Sequence, residues 1–337
     1  MTLVGTVAAA VVGAVTAHAG SPAIGGITLL LLLFTGLLYV IGAREGRQPP
    51  WSSWAAGLAL VALVVALVGP LDAWATERFS AHMVQHLLLT VVAAPAVVLA
   101  RPHRVLARVL PLGGRRVIGG IERRLAALRP RRRWFTWQVG AAVFHAVVLW
   151  AWHAPWLYGA ALDHAAVHIV EHVTLLASAV VLWGVVVAGA RAGARAGAAA
   201  GAVVALFLTS LLGMALAALL TFAGSPIYPG YVVAAGDPAT ALADQQVAGG
   251  LMWVPGKLLP LVAAAAIVVR WLSAAEPTRR SRPPTVLAGN LATQRPETPQ
   301  EPPEPSPPSA LAGEVARHQP ESLQEASEPS TGRSGHQ

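Results

Sequence analysis

Seven predominantly apolar windows, each about 20 residues long and so able to cross a hydrocarbon layer of roughly 30 Å as a helix, dominate the chain. They lie near residues 23–43, 54–75, 81–100, 134–154, 166–189, 199–222 and 248–272. No water-soluble fold can bury them all. Of 337 residues 55% are hydrophobic and 12% charged, with a mean hydropathy of +0.57, whereas soluble domains carry about 25% charged residues. The sequence predicts an all-α integral membrane protein, a bundle of about seven transmembrane helices.

The charges between the windows give an independent test of that count, because short cytoplasmic loops collect Lys and Arg. Arg44 and Arg47 follow the first window, eleven arginines from Arg101 to Arg133 follow the third, Arg191 and Arg195 the fifth, and Arg270, Arg279, Arg280 and Arg282 the seventh. The alternate loops hold Arg78 beside Glu77, then Asp163, then Asp237 and Asp244. This pattern predicts an N-terminus outside and a C-terminus inside. Up to residue 272 there are eighteen basic against eight acidic residues, an excess that suits loops on an anionic leaflet and calls for no nucleic-acid partner.

Residues 1–22 read as a leader or short N-terminal segment, ending in a signal-peptidase-like Ala17-His18-Ala19. The transmembrane domain covers 23–272. Residues 273–337, rich in Pro, Glu, Ser and Gln, lack the apolar surface to fold and read as a disordered cytoplasmic tail. The loop 101–133 reads as an amphipathic connector on the lipid headgroups. The glycine-rich stretch 193–201 reads as a helix-packing surface, and Trp51, Trp54, Trp74, Trp134, Trp152 and Trp156 as an interfacial aromatic belt.

Cysteine is absent, which excludes disulfides, zinc–thiolate sites and iron–sulfur clusters and leaves His, Met and carboxylates as metal donors. Eleven histidines carry the chemical information. His82 and His86 open the third window, His145 and His153 lie in the fourth, and His164, His168 and His172 lead into the fifth. With the arginine-derived orientation, all seven fall in the outer half. His82, His153 and His168 come near the outer interface, His86 and His172 lie about 6 Å deeper, and His145 lies about 12 Å below His153 at 1.5 Å per residue. The pairs His82/His86, His164/His168 and His168/His172 are spaced i,i+4, which stacks two imidazoles on one helical face.

These positions make His82, His86, His153, His168 and His172 the primary metal-ligand candidates. His164, His145, Met83, Met252 and Glu171 are secondary ones: Glu171 is a costly intramembrane carboxylate that needs a partner, and His145 equally fits an interhelical hydrogen bond. Histidine with methionine and no cysteine suits copper, Cu(I) above all, better than magnesium or calcium. Lys257, the only lysine, falls near the bilayer centre beside Pro255-Gly256. Asp244 is expected to cap the seventh span. No hydrolase motif, phosphate loop or dinucleotide fingerprint occurs, so no catalytic residue is assigned.

The strings HMVQHLLLTVVAAP, WHAPWLY, His168-x-x-Glu171-His172 and ADQQVAGGLMWVPG, in this order, resemble the CtaG family of caa(3)-type cytochrome c oxidase assembly factors. The resemblance covers about residues 22–272. It implies a non-enzymatic, multi-pass protein of the bacterial plasma membrane that helps to assemble a haem-copper oxidase, handling copper on the extracytoplasmic side where subunit II receives it. One departure stands out, a single proline, Pro95, after HMVQH where the family commonly has two, which bears on a local helix bend. A bis-His haem b cytochrome or a quinone-linked electron-transfer protein stays open as an alternative, because facing helices carry histidines. Copper transport across the membrane is a third reading, against which the inner half offers few polar residues.

Overall fold

The computed structural model describes residues 22–44, 46, 48–109, 113, 116, 119, 120, 123, 134–191 and 196–280. The expected leader before Pro22, most of the arginine-rich connector and the tail beyond Arg280 lie outside the described residues, as does the second of two compact units, Pro284–Gln337.

Every regular element among the described residues is helical. In chain order they are α1 (Pro22–Arg44), α2 (Pro50–Leu67), α3 (Pro70–Glu77), α4 (Phe79–Leu87), a π segment (Leu88–Ala93), α5 (Ala94–Ala100), α6 (Pro102–Val109), α7 (Trp134–Trp152), α8 (Pro155–Asp163), α9 (Ala165–Arg191), α10 (Ala196–Thr221), α11 (Pro229–Ala235), α12 (Pro238–Trp253) and α13 (Pro255–Arg280). Proline opens α2, α3, α8, α11 and α12, where its fixed φ is already helical and its missing N–H has no intrahelical partner to lose. Seven stretches are long and apolar enough to cross a membrane, and the protein is a multi-pass membrane protein.

Two expected boundaries move, and the last helix runs on to Arg280, past the expected 272. The second span ends at Leu67, because Gly69-Pro70 stops α2 and starts the short α3. The seventh begins at Pro238, ten residues before the expected 248, and breaks at Val254 before Pro255. Where the single Pro95 bears on a helix bend, a π segment precedes the proline, and Thr90 O within it accepts from Trp183 Nε1 at 3.1 Å.

Helix α10 lies at the centre, packed against α7, α9, α12 and α13. Its contacts are built from small residues: Ala199, Ala202 and Ala205 are buried with Ala142 of α7 and Ala179 of α9, and such contacts let helices approach closely where lipid supplies no hydrophobic drive. Gly201 and Gly189 leave room for the amide of Gln138, whose Nε2 donates to Ala198 O at 2.9 Å, so the small-residue reading of 193–201 holds at Gly201. Leu30, Phe34, Phe207 and Leu261 face outward, as lipid-facing residues should. Trp54, Trp74 and Trp156 are exposed, but Trp152 departs from the expected belt: it is buried and donates to Thr174 Oγ1 at 2.8 Å.

Polar side chains close the backbone groups that the helix breaks set free. Arg101 takes a left-handed conformation (φ 51°) and ends α5, and the carbonyl of Ala100 accepts from Tyr39 Oη at 3.0 Å and Ser52 Oγ at 3.0 Å. At the other end of α2, Ala66 O accepts from Gln85 Nε2 at 2.7 Å, and the same amide donates to Asp72 Oδ1 at 2.9 Å. These bonds fix α4 against its neighbours.

Candidate metal centre

In α4 the sequence HMVQH buries four side chains at once: His82, Met83 and Gln85 are fully buried and His86 nearly so. The i,i+4 spacing works as expected, with His82 Nε2 and His86 Nε2 3.0 Å apart. From α9, Glu171 and His172 enter the same space. Glu171 is fully buried, and its carboxylate oxygens lie 3.6 Å from His82 Nε2 and 3.4 Å from His86 Nε2. One donor atom each from His82, His86, Glu171 and His172 falls within a 4.8 Å group. Donors bound about 2 Å from one ion sit about 3–3.5 Å apart, so the group is close to the dimensions of a single site.

The cluster is conspicuous for what its polar atoms lack. His86 Nδ1, His168 Nε2, His172 Nε2 and both Glu171 oxygens are buried without a hydrogen-bond partner. Each such atom is costly, and native proteins leave few of them. Three of them, His172 Nε2 and the two Glu171 oxygens, belong to residues of the four-donor group and fit a site whose donors are reserved for a cation.

Surrounding groups set the direction in which His82 offers its lone pair. Tyr231 Oη donates to Ala75 O at 2.8 Å, so its oxygen is left to accept, from Tyr158 Oη at 3.0 Å and from His82 Nδ1 at 3.2 Å. Burial raises the pKa of Tyr231, of Tyr158 and of Tyr228, so these phenols remain protonated and the arrangement persists. His82 therefore carries its proton on Nδ1 and presents an unprotonated Nε2 to the cluster, the orienting role that an outer hydrogen bond plays for metal-binding histidines.

The sequence-predicted residues separate into three groups. His82, His86 and His172 converge with Glu171, which moves from a secondary candidate to the middle of the cluster. His168 adjoins it, its ring 4.2 Å from His172 and 5.1 Å from His82. His153 stands beside it, 6.1 Å from His86 by ring centroids. The Nδ1 of His153 donates to Leu149 O at 2.7 Å, which leaves Nε2 facing Met83 Sδ at 3.4 Å, a soft pair of donors. His145 is held by Ser178 Oγ at 2.9 Å, the interhelical bond weighed for it, and His164 is exposed at the end of α8.

Beneath the cluster a cavity of about 60 Å³, room for a few waters, is lined by His86, His145, His153, Met252, Ser210 and Lys257. Met252 thus shares the cavity, at its wall. Lys257 follows the α12–α13 break, and its ammonium lies against Gly213, where a side chain would collide with it.

Sequence reasoning missed the tyrosines, Gln85 and the true role of Asp244. The N-cap of α12 is Asp237, which accepts from Thr240 N at 2.9 Å. Asp244 instead lies within α12 and accepts from Ser80 N at 3.1 Å and from Ser80 Oγ, closing the first turn of α4. Its neighbour Gln245 accepts from Ile227 N at 2.7 Å and donates to Leu220 O at 3.2 Å. The DQQ string is the only signal that could have pointed to these ties.

Fold and site together define a polytopic helical membrane protein with a buried three-imidazole, one-carboxylate cluster able to hold a metal ion. A family profile described as the cytochrome c oxidase caa3 assembly factor matches residues 32–274, and the chain belongs to that family, which makes it an oxidase assembly factor. No curated protein and no solved structure matches it.

Proposed function

We propose that the protein binds copper as Cu(I) at the outer face of the bacterial plasma membrane and passes it to a haem-copper oxidase, with subunit II as the recipient, while that oxidase is assembled. The observation that carries this reading is the grouping of donors from His82, His86, Glu171 and His172, in which His172 Nε2 and both Glu171 oxygens are orphaned. The copper assignment rests on donor chemistry: imidazoles with no thiolate, and the His153–Met83 pair next to them. Sidedness rests on the arginines, which gather at the opposite helix ends and mark the inner leaflet. The copper is cargo, and its chain-side requirements are neutral imidazoles and a way out toward a partner.

The haem alternative fits the geometry less well. His82 and His86 touch each other and His172 rather than facing one another across a slot wide enough for a porphyrin. Inward transport is opposed by Lys257, a cation at the far wall of the cavity beneath the site.

Cu(I) competition binding on detergent-purified protein tests the reading. Wild type is expected to bind one copper, and His82→Ala/His86→Ala and Glu171→Ala/His172→Ala are each expected to abolish it. Tight binding that survives both double substitutions would overturn the site, and a Soret band in the purified protein would replace copper with haem.

A further inference from the structure

At the end of the bundle opposite the histidine cluster, two guanidiniums share one indole. Arg101 at the start of the arginine-rich segment and Arg191 at the end of α9 lie over the ring of Trp51, 5.5 and 5.8 Å from its centroid. The charges acting on Arg191 are those of Arg101, Arg104 and Arg270, all of its own sign. Among the described residues no carboxylate pairs with these four arginines. Like charges brought together from separate helices repel unless something of opposite charge sits between them.

Next to this patch runs an apolar groove of about 660 Å³ between α1, α2 and α5, lined by Leu32, Gly36, Val40, Leu60 and Val97 and ending at Arg44. Ala100 and Pro102, the two neighbours of Arg101, also line it, so groove and patch are continuous. From Leu32 to Arg44 the groove follows twelve residues of α1, or about 18 Å at the helical rise, against roughly 15 Å for one leaflet's share of the hydrocarbon.

We propose that this groove and the Arg101–Arg191–Trp51 patch form one binding site for an anionic phospholipid, an acyl chain lying in the groove and the phosphate bridging the guanidiniums. The length of the groove matches a chain in one leaflet, and the patch supplies two guanidiniums, the side chain best suited to phosphate oxygens. Bound lipid joins α1 and α2 to α9 and α13 by neutralising the repulsion at their ends. Helix α1 packs mainly against α2 and α6 and reaches α5 through Tyr39, so lipid in the groove would add to a small set of contacts.

Thermal unfolding of the delipidated, detergent-purified full chain tests the proposal, with dioctanoyl phosphatidylglycerol, dioctanoyl phosphatidylcholine or inorganic phosphate added. The phosphatidylglycerol is expected to raise Tm saturably, and the other two to leave it nearly unchanged. Arg101→Gln/Arg191→Gln is expected to raise the half-saturating concentration at least tenfold. Gly57→Leu, whose side chain would enter open space in the groove, is expected to do the same with all four arginines intact. Equal protection by phosphatidylcholine would remove the role of charge, and equal protection by phosphate would make this a free-anion site; either overturns the lipid assignment, as does a Gly57→Leu protein that responds like wild type.

Discussion

Asp244 of α12 caps a helix that is not its own: its carboxylate accepts from the backbone N and the hydroxyl of Ser80, in the first turn of α4. Within the next two turns, that helix presents His82 and His86 to the cluster. A cap of this kind is worth about 1 kcal/mol, and here it also fixes the register of the face that carries the histidine cluster. Asp244→Ala is therefore expected to lower both Tm and copper affinity, whereas Asp237→Ala, at the solvent-exposed start of α12, is expected to spare copper affinity. Paired thermal unfolding and Cu(I) competition on the two variants check this.

Tyr231 bears on the proposed copper site through His82. With the phenol replaced in Tyr231→Phe, His82 Nδ1 loses its acceptor, and the imidazole is free to take the tautomer that buries its proton toward Glu171. Removal of such an orienting bond typically costs 10- to 100-fold in affinity. Copper affinity is expected to fall within about that range while the helical content measured by circular dichroism stays unchanged. An unchanged affinity would show that His82 needs no orientation.

Glu171 separates stability from function. A buried carboxylate with neither oxygen hydrogen-bonded destabilises the metal-free fold, and an apolar replacement of similar size removes that cost, on the order of 1–3 kcal/mol. Glu171→Leu is accordingly expected to raise the Tm of the metal-free protein and to weaken copper binding. Both effects are read from one titration followed by thermal unfolding with and without Cu(I). A drop in metal-free Tm would mean that Glu171 stabilises the helices directly.

Much of this was legible in the chain itself. The seven apolar windows and the arginine alternation follow from transfer free energies that act residue by residue, so the helices and their count are readable locally. The i,i+4 histidines of α4 are likewise local, and His82 and His86 meet as their spacing requires. The convergence of α9 on α4 is not local. It depends on the ties made by Gln85 and Asp244, contacts across 13 to 164 positions. For the same reason Tyr231, 149 positions from His82, carried no signal, and Trp152 read as an interfacial residue until its partner on α9 was known.

The packing of α10 on α7 turns on Gln138 and Gly201. A Cβ on Gly201 would overlap Gln138 Oε1 and come within 3.3 Å of Phe135 Cα, and a backbone at that distance cannot retreat as a flexible side chain can. Gly201→Ala is expected to lower stability by about 1–3 kcal/mol, the range for overpacked interiors. Gln138→Ala alone is also expected to destabilise, since Ala198 O then loses its side-chain donor. Combining the two frees the space that the new methyl requires, so the double variant is expected to be more stable than the sum of the single effects, with a coupling of about 0.5–3 kcal/mol. Denaturant unfolding of the four proteins in one detergent measures it. Simple additivity would show that the clash is with the Phe135 backbone alone and that Gln138 already moves aside.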